Sequence, residues 1–198
     1  MANRMITKQD QIWEVSYEYC KSLLLVYKKN NYFFTRNQSW NLMKWNALGN
    51  VLISKKAISM WLDNSELKKN TPALNFGGPR NKRCFVADHL YPTKALKNRF
   101  KEQFSYDSLN KDEFKDFFKK YNRICYIWYK EDKSLNESGL KSTVPDDSDD
   151  DECVFSRYET LKIEYISTKF EDGKKLFSEL NRYRDLKIDL KEITNLIM

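Results

Sequence analysis

Turn-forming residues are scarce, with five glycines and four prolines in 198 residues. That argues against a loop-rich all-β fold and for long regular elements. Histidine occurs once, as His89. The four cysteines (Cys20, Cys84, Cys125, Cys153) stand far apart and form no C-x-x-C pair. With one histidine, this leaves almost no room for a zinc site built from the usual close ligand pairs. Two disulfides are formally available, but the expectation for a cytoplasmic chain is buried thiols. No apolar run approaches the roughly 18–20 residues that cross a bilayer. The most apolar short stretch, Leu23 to Tyr27, is flanked by Lys21 and by Lys28 and Lys29, as in an amphipathic helix. Lys8, Asp10 and Glu14 fall where a signal peptide would need an apolar core. A soluble, cytoplasmic protein without a membrane partner is expected. Gly77-Gly78 lacks the Lys-Ser/Thr of a P-loop, and no G-x-G-x-x-G argues for a dinucleotide fold.

The chain is nevertheless rich in core-forming residues. It is 41% hydrophobic and 15% aromatic, which excludes a disordered polymer and suits one domain spanning residues 1–198. Ile12, Val15, Tyr19, Leu23 and Val26 repeat at helical steps, predicting a first helix from about Thr7 to Lys28. Ser39 and Ser54 are plausible caps for two further helices, the first bearing Trp40, Met43 and Val51, the second Ala57, Ile58 and Trp61. Pro92 suits the start of a helix that turns Leu96, Phe100 and Phe104 inward. Asn110 and Glu113 resemble a capping box before Phe114, Phe117, Phe118 and Tyr121.

Elsewhere the period changes. β-branched and aromatic residues predict strands near 83–88, 123–130 and 161–168. Residues 130–152 read as a mobile acidic loop, closed by Asp146 to Glu152, which lacks the glycine and ligand spacing of an EF-hand. From about Asp172 a long amphipathic C-terminal helix is expected. The fold class is α+β, mostly helical with a small β-sheet.

Charge is concentrated. Seven basic residues (Arg80, Lys82, Arg83, Lys94, Lys97, Arg99, Lys101) and one acid, Asp88, lie between Arg80 and Lys101, so this stretch carries +6 of the chain's net +7. Lys94, Lys97, Asn98 and Lys101 are spaced i, i+3, i+4 and i+7 and form one helix stripe. Such a stripe beside a helix N-terminus is a reasonable phosphate-binding surface, and Arg80, Lys82, Arg83 and Tyr91 stand close enough in sequence to extend it. Its bland counterpart is a solvated helix face. Trp45, off the face of its helix, is the one tryptophan expected to be exposed for stacking.

The string Asp88-His89-Leu90-Tyr91-Pro92 resembles the first element of HNH-type (ββα-metal) nucleases, which commonly read Asp-His-x-x-Pro. The resemblance implies Asp88 as a ligand of Mg²⁺ or another divalent cation and His89 as the general base that activates water. It covers about ten residues and departs from the family pattern. A second histidine is missing, so Asn110 or Asn122 would have to stand in. The glycine-rich hairpin after the proline and the supporting zinc cysteines are missing too.

Two functions follow as expectations. The first is a small nuclease of a mobile-element or defence system that cleaves DNA or RNA with His89 and Asp88. The second is a non-catalytic protein that grips nucleic acid or an acidic protein surface, for example a phage-type inhibitor of a nucleoprotein complex. The apolar side of the C-terminal helix adds a homodimer as a candidate assembly.

Overall fold

A computed structural model of the chain describes residues 8–30, 50–63, 85–145, 154–171 and 173–198. The helices among them are α1 (Lys8–Asn30), α2 (Lys55–Asp63), α3 (Thr93–Gln103), α4 (Lys111–Tyr121), α5 (Tyr129–Glu137), α6 (Ser156–Thr160), α7 (Gly173–Asp185) and α8 (Leu190–Ile197). The strands are β1 (Leu52–Ser54), β2 (Phe85–His89), β3 (Ile124–Trp128) and β4 (Tyr165–Ser167). They form one mixed sheet in the order β2-β3-β1-β4. Strands β1 and β3 run parallel, and the outer two are antiparallel to their neighbours. The expected α+β class is what the chain adopts.

Strand alternation splits the interior in two. Leu52, Cys125 and Ile127 face a first core shared with α1, α3, α4 and α6. Ile53, Phe85, Ile124, Tyr126 and Ile166 face a second, shared with α2, α7 and α8. Phe100, Phe114, Phe117 and Phe118 meet at the centre of the first core, with ring centroids 5.3 to 6.3 Å apart along the chain Phe114–Phe100–Phe117–Phe118. Asn110 caps α4 as its sequence suggests, its side chain accepting from the N–H groups of Asp112 and Glu113.

Five elements depart from the sequence reading. On α1 the buried side is Trp13, Tyr17, Cys20, Leu23 and Leu24, while Val15 is exposed. The face is rotated because Trp13 and Tyr17 both set their rings edge-on to Phe114. Val51, assigned from sequence to a helix, leads directly into the unanticipated strand β1. Residues 130–137 are helical within α5, where a loop was expected. Glu131 fastens that helix by accepting from the Trp128 N–H and the Ser54 hydroxyl, and Leu135 is fully buried. The C-terminal helix is two helices: Lys187 takes a φ of 58°, and Asp189 caps α8 by accepting from the Glu192 N–H. Their apolar positions (Leu176, Phe177, Leu180, Ile193, Ile197) pack on the chain's own sheet. The surface that suggested a homodimer is thereby used internally, with Leu186 left exposed. The strand expected over 161–168 shrinks to β4, because Lys162 holds a φ of 53° that breaks the extended backbone. No helix among the described residues is long and apolar enough to cross a membrane.

Gly173 opens α7 against β3, and a Cβ there would overlap the Tyr126 ring. Gly173→Ala is therefore expected to lower unfolding stability by about 1–3 kcal/mol through overpacking, despite alanine's better helix propensity. Urea denaturation checks it; an unchanged or raised midpoint would contradict the close packing of α7 on β3.

Candidate nucleic-acid interface and the buried Asp88 cluster

Asp88 and His89 end strand β2, and the pleat sends them to opposite faces. Asp88 pairs with Cys125, which belongs to the first core, and His89 with Ile124, which belongs to the second. Cross-strand partners share a face, so the two side chains the nuclease resemblance links do not converge from this strand. His89 is buried, at 8% exposure.

Asp88 is also buried, and its carboxylate is occupied. One oxygen accepts from Lys141 Nζ at 2.8 Å. The other accepts from the Arg157 guanidinium and, at 2.9 Å, from the Tyr158 hydroxyl. Lys141 bridges further to Asp132, which is itself buried. Arg157, 1% exposed, also donates to the carbonyls of His89, Leu90, Leu140 and Lys141. Those four carbonyls and the carboxylate match the five N–H donors of a guanidinium. Two anions and two cations thus share one cluster, buried except at Lys141, that joins the end of β2, α5 and the chain after it, and α6. Burial pushes the Asp88 carboxyl up, but the charges and hydrogen bonds of Arg157 and Lys141 outweigh it and hold the group below the ordinary carboxylate range. Burial, reinforced by the Asp88 charge, pushes both the Tyr158 phenol and the Cys125 thiol well up, so neither is a nucleophile near neutral pH.

This arrangement does not fit the divalent cation that the resemblance implies. A metal at Asp88 would have to displace two cations and a phenol. Asn110, one proposed substitute ligand, has its side-chain oxygen committed to the α4 cap. No group of three or more His, Cys, Asp or Glu side chains among the described residues is disposed to hold a metal ion.

The basic stripe is placed differently. Helix α3 turns Leu96 and Phe100 into the core and presents Lys94, Lys97, Asn98 and Lys101 on its outer side. None of these three lysines lies within ion-pair distance of a carboxylate among the described residues. Partial burial, then the like charges of Lys101 and Lys94, push the Lys97 ammonium down. A groove of about 760 Å³ runs beside this helix. Tyr91, Lys94, Asn98, Arg99 and Glu102 line one wall, and residues 142–145 the other. Tyr91 is 5% exposed, with its ring 5.1 Å from that of Tyr121, so most of it serves the core. Lys101 reaches over the Tyr27 ring of α1. Arg99, which the stripe spacing omits, lines the groove and lies over the Tyr121 ring. Only its place in the charge count pointed to it. Arg80, Lys82, Arg83 and Trp45 lie outside the described residues.

A second basic cleft was missed. It measures about 450 Å³ and is lined by Asn50, Lys119, Lys120, Arg123, Val154, Phe155 and Ser167. Its residues come from four separate segments, so no sequence window gathers them. Family models, curated proteins and solved structures contain no match to this chain.

Removing the Asp88 charge leaves Arg157 buried without its counter-ion. Asp88→Asn is expected to cost about 3–5 kcal/mol at pH 7. Because the folded-state pKa is lowered, the stability Asp88 contributes is full above its unfolded value near 3.9 and lost as pH falls through the folded value. Urea midpoints between pH 7 and pH 3 should therefore fall less steeply in acid for Asp88→Asn than for wild type. Parallel curves would contradict the ion-pair assignment.

Proposed function

We propose that the protein binds nucleic acid without cleaving it, gripping the phosphate backbone with the outer face of α3. The observation that carries this reading is the set Lys94, Lys97 and Lys101. They share one helix face and have no carboxylate partner among the described residues; partial burial, with the like charges of Lys101 and Lys94 added, pushes Lys97 down. Gathering like charges costs free energy unless a polyanion neutralises them, and phosphates do so with release of condensed counterions. Asn98 and Arg99 add donors along the adjoining groove. Arg99 offers the planar fork that suits phosphate oxygens.

Hydrolysis is the weaker reading. It asks for an Asp88 available to a metal and a His89 beside it. Asp88 is instead engaged by Arg157, Lys141 and Tyr158, and the pleat separates the pair. A histidine at 8% exposure also lacks the access that a general base needs to a phosphodiester.

Fluorescence anisotropy with labelled single- and double-stranded DNA and RNA tests both readings. Log K should fall linearly with log salt, with a slope of roughly −2 to −4 for three to four phosphate contacts. Lys94→Glu and Lys97→Glu should each weaken binding and flatten the slope by about 1, whereas His89→Ala should leave affinity unchanged. No substrate should be cut in Mg²⁺, Mn²⁺ or EDTA. Cleavage that His89→Ala abolishes would establish the nuclease instead. Absence of salt-sensitive binding would overturn the nucleic-acid reading and redirect it to an acidic protein surface.

A further inference from the structure

The cleft at Arg123 lies at the end of the sheet where β2 finishes. His89 pairs with Ile124, the Leu90 N–H donates to the Arg123 carbonyl at 2.9 Å, and Ser167 pairs with Leu52 at the same, amino end of β1. Helices α3 and α4 meet just beside it. The Arg99 guanidinium lies 4.9 Å from the centre of the Tyr121 ring, and Lys120 Nζ lies 5.0 Å from the same centre. Tyr121 thus stands between the α3 groove and the cleft, with a cation from each against its ring.

Within the cleft Arg123 is held in place. One guanidinium nitrogen donates to the Ser167 hydroxyl at 3.3 Å, and the group lies over the Phe155 ring at 5.9 Å. Phe155 is in turn stacked on Tyr165, with centroids 5.1 Å apart and planes 6° from parallel. Arg123 has no carboxylate within ion-pair distance among the described residues, and partial burial pushes its pKa down. Lys119 and Lys120 occupy the last turn of α4, where cations also answer the helix dipole. A partly buried, oriented guanidinium on an aromatic platform is what a phosphate with an unstacked base recognises: the fork takes phosphate oxygens, and guanidinium and ring planes take bases.

We infer that Arg123, with Lys119 and Lys120, forms a nucleotide subsite continuous with the α3 groove, so that the preferred ligand is a single strand crossing Tyr121. This rests on the nucleic-acid reading of α3. A single strand can bend over Tyr121 and seat one nucleotide in each concavity. A stiff duplex can engage the α3 face but cannot send an unstacked base into a cleft of about 450 Å³.

The test compares wild type, Arg123→Gln and Arg123→Lys on a labelled 12-nucleotide oligothymidylate and on a blunt duplex, with thermal melts to verify folding. Alongside, thymidine 5′-monophosphate is titrated while the arginine side-chain NMR signals are followed. The expected result is a loss of about tenfold or more on the single strand for Arg123→Gln, a partial loss for Arg123→Lys, little change on the duplex, and a monophosphate-induced shift of the Arg123 signal. Wild-type single-strand affinity in Arg123→Gln with no Arg123 shift overturns the subsite and leaves the α3 reading standing. Equal losses on both ligands overturn the single-strand preference. If no nucleic acid binds but the monophosphate shifts Arg123, the single-strand ligand is overturned with the α3 reading, and only a mononucleotide site at Arg123 remains. If neither occurs, both fail.

Discussion

The arrangement at the working end depends on one buried guanidinium. Arg157 gives its five N–H groups to the Asp88 carboxylate and to four carbonyls, two at the end of β2 and two after α5. Burying a charge is tolerable only when it is paired and hydrogen-bonded, and here both conditions are met by segments far apart in the chain. The consequence is positional. With Arg157 seated, the end of β2 is fixed, Pro92 and the start of α3 follow from it, and the direction of the α3 lysines is set. The chain from Leu140 to Pro145, held at its near end by the same guanidinium, becomes the opposite wall of the α3 groove.

Two populations of cations result. Arg157 and Lys141 are neutralised by Asp88 and Asp132 and act as structural ties. Lys94, Lys97, Lys101 and Arg123 have no such carboxylate among the described residues. The difference is one of burial and partner, not of residue type, and it divides scaffold from surface. It also changes the meaning of Asp88. The family pattern suggests a metal ligand, whereas its surroundings make it the counter-ion of a buried arginine.

Much of the fold was legible because it is local. The α3 and α4 faces, the Asn110 cap and the β3 strand all follow from residues within a few positions of one another. Helix α5 was hidden by its polar composition and by a tryptophan at its start, which offers no capping signal in the sequence; its one cap is Glu131 accepting from the Trp128 N–H. Three-residue strands such as β1 carry too little pattern to announce themselves. The Asp88 cluster was beyond sequence reasoning: Lys141 and Arg157 lie 53 and 69 residues from Asp88, and nothing periodic relates them. The basic stripe was readable, since helix spacing alone brings it together, whereas the Arg123 cleft is assembled by the sheet and was not.

Hydrogen–deuterium exchange, with and without a saturating oligonucleotide, separates the two populations in one measurement. The expected result is slowed exchange in residues 93–103, with unchanged protection in α7 and α8. The amides around Asp88 should already be protected in the free protein. Protection confined to the α7–α8 side, or none anywhere despite measured binding, would contradict the placement of the interface on α3.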